Sequence, residues 1–365
     1  MSESLRTAAL RAEIERCRQL VDPLLLDPSR QAAVAPEHLR RAVVAYLERP
    51  AKRLRPALLM LCCRALGGDE RQALPAAAAV ELFHTWTLVH DDVIDNDAVR
   101  RGQPTVHTAA AAWARRDFGA APAAAAAYGR DVAILAGDVQ QAWSNAMLLS
   151  CARHGVPATL VLALCERLQT VLNHRLLEGE MLDVQFSLQP LETITEEAVL
   201  RMLHLKTGVL LEFAATTGGA IARGRLPDED AAVAALGRFA GLCGLAFQLQ
   251  DDILGIVGDE KALGKPIGSD LREGKVTVIV LHALRHASSA QRAVLGAALG
   301  RPDADAATVA AAQAGLVDLG SIAYAHDLAN GYVRQALGIL HEAVPAGPAR
   351  DLLETWAEST VARAT

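Results

Sequence analysis

The sequence predicts an all-α protein, on three observations. Ala, Leu, Glu and Arg dominate the chain. Apolar residues recur at three- and four-residue steps over 11–26, 38–48, 56–66, 159–188 and 196–222, and alternating strand patterns are nearly absent. The one β-branched run, VTVIV at 276–280, reads as part of a buried helix because no partner strand is evident. With 52% hydrophobic and 21% charged residues over 365 positions, the chain can bury a large core and is not disordered. Turn residues punctuate it at 27–36, 67–75, 102–104, 224–230, 264–274 and 345–348. None of these reads as an interdomain linker, and no solenoid-type repeat is present. The Ala-rich stretch 120–127 reads as a loop or a weak helix end.

Lys and Arg number 36 against 42 Asp and Glu, a net charge of −6 with no polybasic run, so a nucleic-acid partner is not expected. The six cysteines form no C-x-x-C pair and no zinc-finger spacing, which suits reduced core thiols in the cytoplasm. Charges interrupt the first twenty residues every few positions, and no window holds 18 uncharged, strongly apolar residues. A cytoplasmic protein without a transmembrane segment is therefore expected.

Two segments 160 residues apart place an Asp pair in an apolar helical context: LVHDDVID at 88–95 and FQLQDDIL at 247–254. On a helix Asp91 and Asp95 share a face and Asp92 sits 100° round. Like charges at this spacing destabilise a helix, and more so if Leu88, Val89, Val93 and Ile94 draw the site out of water. Magnesium would compensate, since it takes oxygen ligands and is held by one or two carboxylates with substrate phosphates. The plainer alternative is a solvated acidic face that happens to recur. Upstream of the second pair, Gly237, Gly241, Gly244, Gln248, Asp251 and Gly255 form one nearly bare helix stripe. Close packing of another helix is the simpler explanation for it, and a smooth channel leading from Asp251 is the functional one.

Cations fall in short groups. Lys52 and Arg55 lie just ahead of a helix whose first position is expected at Pro56, a reasonable phosphate cradle. Arg100-Arg101-Gly102 after the first Asp pair reads, taken alone, as a basic helix end followed by glycine. Lys206-Thr207-Gly208 interrupts an apolar helix, and Lys265 and Lys275 bracket a Gly-rich segment that is not a P-loop.

The ordered set KRLRP, HTWTLVHDDVID, RRGQPT, AGD, GEMLD, KTG, FQLQDD and GKPIGSDLREGK, spanning residues 52 to about 285, resembles the trans-isoprenyl diphosphate synthases. These are the polyprenyl synthetases that make farnesyl and geranylgeranyl diphosphate. The resemblance implies an isoprenoid-synthase-type helical bundle around a central cavity, as a single domain over 1–365. Its motif-bearing part covers about 38–285, and helices over 286–365 complete the bundle. It further implies a homodimer, isopentenyl diphosphate and allylic prenyl diphosphates as substrates, and Mg²⁺, three ions with substrate bound and Mn²⁺ as an alternative ion.

By the same resemblance, Asp91, Asp95 and Asp251 are metal ligands, with Asp92 and Asp252 supporting them. Lys52, Arg55, His84 and Arg101 correspond to the isopentenyl diphosphate site. Arg100, Lys206, Thr207, Gln248, Lys265 and Lys275 correspond to groups that hold the allylic diphosphate, Arg100 and Lys206 acting with the three metal ligands in catalysis. Two positions depart from the family pattern: Gly255 stands where many members have Asp, and Ala51 where Gly commonly precedes Lys52. The fourth and fifth residues before Asp91, Thr87 and Trp86, with Phe83 below, are expected to limit product length. Only the fifth is aromatic, a pattern that resembles geranylgeranyl diphosphate synthases, so a C20 product is expected, with C15 the alternative. If Trp86 packs between helices instead, it decides nothing. A class I terpene cyclase would want a second hydroxyl-bearing metal motif and an aromatic cavity, against which 14 aromatics argue. A noncatalytic subunit has only Gly255 in its favour.

Overall fold

The computed structural model describes residues 3–258 and 268–362, and the described chain is helical but for one two-residue hairpin. It divides into two compact units. The first comprises 1–167, 214–233 and 347–352 and is built on α1 (Glu3–Leu25), α2 (Pro28–Ala32), α3 (Glu37–Val44), α4 (Leu54–Ala65) and α5 (Glu70–Ile94). The hairpin β1 (Val99–Arg100) and β2 (Gln103–Pro104) comes next, then α6 (Val106–Phe118), α7 (Pro122–Leu149) and α8 (Ala158–Arg167).

Helix α4 is buried on all sides from Pro56 to Cys63, as a central core helix must be. Its first residue is Leu54, so Pro56 is the third helical position and Arg55 lies inside the first turn. Proline is tolerated there because first-turn N–H groups have no helical acceptor. Asp69 starts α5 by accepting the Arg71 N–H, and small residues at Ala73 and Ala76 to Ala79 let α4 and α7 pack close to it. The stretch at 120–127 is helical from Pro122 onward. Proline pre-sets the first turn, and the alanines behind it have the highest helix propensity.

The second unit comprises 168–213, 234–346 and 353–365. Its elements are α9 (Asn173–Phe186), α10 (Glu196–Leu203), the start of α11 (Val209–Arg223, of which 214–223 belong to the first unit) and α12 (Ala231–Val257, from 234 onward). After them come α13 (Ser269–Glu273), α14 (Val278–His286), α15 (Ser289–Ala298), α16 (Ala306–Asp318), α17 (Ser321–Ala343) and α18 (Pro348–Val361). The β-branched run is helical from Val278, with Thr277 capping it through the Val280 N–H, and its residues 278–281 are buried. A core of Ile253, Ile256, Leu271, Ile279 and Val280 ties α12, α13 and α14 together.

Helix α12 is long and apolar enough to cross a membrane by length and composition alone, a feature that scanning for uncharged windows passes over because Arg238 interrupts it. Of its most apolar window, 61% is buried inside the protein. The bent pair α16–α17 meets the same test jointly.

The glycine stripe of α12 serves close packing. A Cβ on Gly244 would stand 2.7 Å from the Cα of Gly208, and one on Gly241 would stand 3.1 Å from the His204 ring. Backbone cannot yield as a side chain can. Gly244→Ala is therefore expected to destabilise the protein by about 1–3 kcal/mol despite alanine's better helix propensity, read as a lower urea midpoint at unchanged slope.

Candidate active site

Asp91, Asp92 and Asp95 fall at the C-terminal end of α5, where the helix dipole already presents negative charge, so local energetics oppose them. The chain just past the helix supplies the remedy. Asp95 caps the helix, Asn96 turns the chain through a left-handed conformation (φ 55°), and the hairpin returns Arg100 to the helix end. Arg100 Nε donates to Asp92 Oδ1 at 2.7 Å and Nη2 to Asp91 Oδ2 at 2.9 Å, one cation across two carboxylates. Arg100 is thus a strand residue of a tight hairpin, not the basic end of a helix that its motif suggests on its own. Arg101 and Gly102 occupy its two turn positions with φ of 53° and 72°, as a right-twisted two-residue hairpin requires.

Asp92 is fully buried. Its second oxygen accepts from the Tyr46 hydroxyl, which in turn receives the Val106 N–H at 3.3 Å. Burial pushes the Asp92 carboxyl up, with Arg100 and Tyr46 opposing; burial and then Asp92 raise the Tyr46 phenol. Asp95 is exposed and Asp91 half-buried, which leaves Asp92 as the anchor and the other two at the surface of the site. Nothing in the sequence marks Tyr46, since it lies 46 positions away on the segment after α3.

The second group of cations is held by a buried arginine. Arg53, 4% exposed and left-handed at φ 51°, donates to Asp22, to Glu81 and to the Leu47 carbonyl, at 2.9, 2.9 and 2.7 Å. It locks the approach to α4, so Lys52 stays exposed and Arg55 reaches His84: Arg55 Nη1 lies 3.1 Å from His84 Nε2. An arginine can only donate, so His84 accepts there and is neutral. Burial, then the charges of Arg55, Arg101, Arg100 and Arg53, hold the His84 pKa well below 6.5. Burial and its neighbour Arg100 also pull Arg101 down. A neutral histidine in contact with Arg55 and within the electrostatic reach of three further arginines is a locus that favours an anion.

In the second unit, residues 204–208 make a π-helical turn that widens the helix at Lys206 and Thr207. Lys206 Nζ lies 2.6 Å from Asp183 and 3.0 Å from Glu180, both on α9 and both inside the GEMLD motif, whose spacing alone suggests no role for them. Thr207 donates to Gln248 Oε1 at 3.2 Å, and Gln248 Nε2 to Asp252 Oδ1 at 3.3 Å. Lys275 Nζ meets the same Asp252 oxygen at 2.9 Å. Burial raises the Asp252 pKa against the pull of Lys275, while Asp252 and Asp270 outweigh the burial of Lys275 and keep it charged. Thr207, Gln248, Asp252 and Lys275 thus form one connected network, with Lys206 next in sequence and half-buried Asp251 beside it. Lys265 lies outside the described residues.

Trp86 sits between helices. Its indole N–H donates to His90 Nδ1 at 3.2 Å, its ring meets buried Phe83 edge-on at 4.8 Å, and a Cβ on Gly137 of α7 would stand 2.9 Å from it. Thr87 is half-buried, its hydroxyl donating to the His84 carbonyl at 2.8 Å.

The donors suit magnesium. They are carboxylate oxygens, and Asp252, 1% exposed, keeps one buried oxygen, Oδ2, without a hydrogen-bond partner among the described residues, an atom that a cation would satisfy. No three His, Cys, Asp or Glu side chains converge into a metal-holding group among the described residues.

The polyprenyl synthetase family model matches residues 36–316. The chain belongs to the polyprenyl synthetase family. As a member it is a trans-prenyltransferase. It is 38% identical over 330 residues to the short chain isoprenyl diphosphate synthase of Methanothermobacter thermautotrophicus, covering 90% of this chain and 92% of that one. It is 36% identical over 314 residues to the geranylgeranyl diphosphate synthase of Saccharolobus solfataricus, covering 86% of each. Among solved structures, geranylgeranyl pyrophosphate synthase from Corynebacterium glutamicum, complexed with isoprenyl diphosphate and magnesium, matches this polyprenyl synthetase at a TM-score of 0.77. That match has 26% identity and covers 100% of both chains.

His84 gives a pH signature. The unfolded chain takes up a proton near pH 6.5 and the folded protein does not until well below it, so stability falls as pH drops through that window. Urea unfolding at about pH 8 and about pH 5.5 should show this loss in the native protein and a smaller one in His84→Gln.

Proposed function

We propose that this prenyltransferase joins isopentenyl diphosphate head to tail to an allylic prenyl diphosphate, and that its product is geranylgeranyl diphosphate. The observation that carries the reading is the arrangement at the end of α5. Carboxylates fit to bind a divalent cation stand bonded to Arg100, and Arg55, Arg101 and neutral His84 stand close enough to sense one another's charge. Anion and metal sites side by side are what a magnesium diphosphate requires.

Asp91, Asp95 and Asp251 are assigned as metal ligands, with Asp92 and Asp252 supporting them. Lys52, Arg55, His84 and Arg101 are assigned to isopentenyl diphosphate; Arg100, Lys206, Thr207, Gln248, Lys265 and Lys275 to the allylic diphosphate. Mg²⁺, when bound, neutralises charge on the departing diphosphate. The fixed cations Arg100 and Lys206 stabilise the same charge as the allylic C–O bond breaks and its electron pair leaves with the diphosphate. The π pair of isopentenyl diphosphate then forms the new C–C bond. The resulting tertiary cation passes a proton to the released diphosphate, leaving an allylic diphosphate five carbons longer. His84, held neutral, accepts from Arg55 and so fixes the direction of that guanidinium. Buried Phe83, Trp86 and Val89 keep this flank of α5 apolar.

A single synthetase domain, a cytoplasmic location and a homodimer belong to the same reading. The dimer is supported by exposed apolar side chains: Ile134, Leu135 and Leu149 on α7 in the first unit, and Leu177, Met181 and Val184 on α9 in the second. The C20 product is supported by the named geranylgeranyl diphosphate synthase relative; Trp86, packed between helices, adds nothing to that choice.

The deciding experiment incubates purified protein and Mg²⁺ with isopentenyl diphosphate and C5, C10 or C15 primers and identifies products by mass. A C20 diphosphate is expected, and no elongation with any primer would overturn the reading. Asp91→Ala should lower turnover roughly 100- to 1,000-fold with an unchanged far-ultraviolet circular dichroism spectrum. Near-normal turnover would remove Asp91 from the metal site. Trp86→Ala should shift the product mass upward by five-carbon steps, and an unchanged distribution would place the length limit elsewhere.

A further inference from the structure

The hairpin that carries Arg100 and Arg101 is held from outside by a residue that no motif marks. Arg49 Nη2 donates to the Pro104 carbonyl at 2.6 Å, and Pro104 pairs with Val99 next to the Arg100–Gln103 pair. The Arg49 guanidinium lies over the Tyr46 ring, 4.5 Å from its centre. Tyr46 bonds Asp92 through its hydroxyl and receives the Val106 N–H just past the second strand. Tyr46 and Arg49, three residues apart after α3, therefore grip the acidic helix end and the returning strand together. Arg100 has anchors of its own in Asp91 and Asp92. The Arg101 side chain has no hydrogen bond or ion pair among the described residues, so the backbone of the turn, at φ 53°, sets its direction.

Arg49 holds this place against local energetics. Its Nη1 is buried without a hydrogen-bond partner among the described residues, where a surface arginine would turn that nitrogen to water. It also stands near enough to Arg101 for the two charges to repel. An unsatisfied donor beside a like charge marks a residue kept for its placement and not for local stability. We infer that Arg49 is a positioning residue of the isopentenyl diphosphate site, holding the hairpin against Tyr46 so that Arg101 faces the diphosphate. Arg101 touches the substrate and Arg49 does not. The inference rests on the proposed assignment of Arg101 to isopentenyl diphosphate.

The test measures binding of isopentenyl diphosphate, and separately of a C10 allylic diphosphate with Mg²⁺, to full-length protein by isothermal titration calorimetry. Arg49→Met should weaken isopentenyl diphosphate about tenfold, the size of one hydrogen bond to a charged group, with the allylic affinity unchanged within about threefold. Arg49→Lys keeps the charge without the planar fork and should weaken isopentenyl diphosphate about threefold. It also carries the test if the methionine variant fails to fold. Arg101→Met is the reference, and adding Arg49→Met to it should cause less than about twofold further loss, because the group being positioned is gone. If Arg101→Met weakens binding while Arg49→Met binds like the native protein, the inference is wrong and the assignment stands. If Arg101→Met binds normally, the assignment falls and the inference with it. Losses that add in the double variant, an equal loss of both ligands, or native affinity in Arg49→Lys also overturn it.

Discussion

Everything around the first acidic site depends on one electrostatic constraint: three carboxylates stand at the negative end of a long, mostly buried helix. Neither helix propensity nor burial tolerates that arrangement, so the chain after α5 is built to return a cation to it. The left-handed Asn96 ends the helix, the tight hairpin reverses the chain, and Arg100 reaches both Asp91 and Asp92. Tyr46 occupies the remaining oxygen of Asp92. A fully buried carboxylate with both oxygens bonded is a rigid post, and Asp91 and Asp95 project from the same helix end with less burial. Local strain is concentrated here too: Arg53 and Arg101 hold left-handed backbone conformations that only neighbouring structure can impose.

The second acidic site meets the same constraint by other means. Asp251 and Asp252 again lie near the C-terminal end of a helix, and Lys275 is the compensating cation. The lysine is delivered by a short helix, α13, and a turn. A π-helical turn sets Lys206 against α9, and Gly244 lets that turn approach α12 at backbone contact. Glycines that cost helix stability are repaid in proximity.

The rival functions separate on the same features. A cyclase that guides a carbocation along aromatic faces has little to work with in 14 aromatic residues, of which Phe83 and Phe239 are fully buried. Trp86 packs between α5 and α7 and is pinned by His90. Packed in this way, the ring gives no reading of product length by itself, which makes the distribution of products the informative quantity.

The amino-acid sequence by itself determined the helical class, the two Asp pairs, the cationic groups and the family, because periodicity and short motifs are local properties that survive without a fold. It also exposed Gly255 as a departure. Only the tertiary structure decided how those groups are used. Arg53 reads as one more cation of KRLRP, yet it is buried and structural, because Asp22 and Glu81 reach it from distant helices. Tyr46 had no motif to mark it, and Arg100 was indistinguishable from a helix-end cation until the hairpin turned it back. The bare stripe of α12 was legible as a stripe, but its close partner, Gly208, was not. Partnerships between residues tens of positions apart depend on how helices cross, and crossing is settled by packing that no single segment encodes.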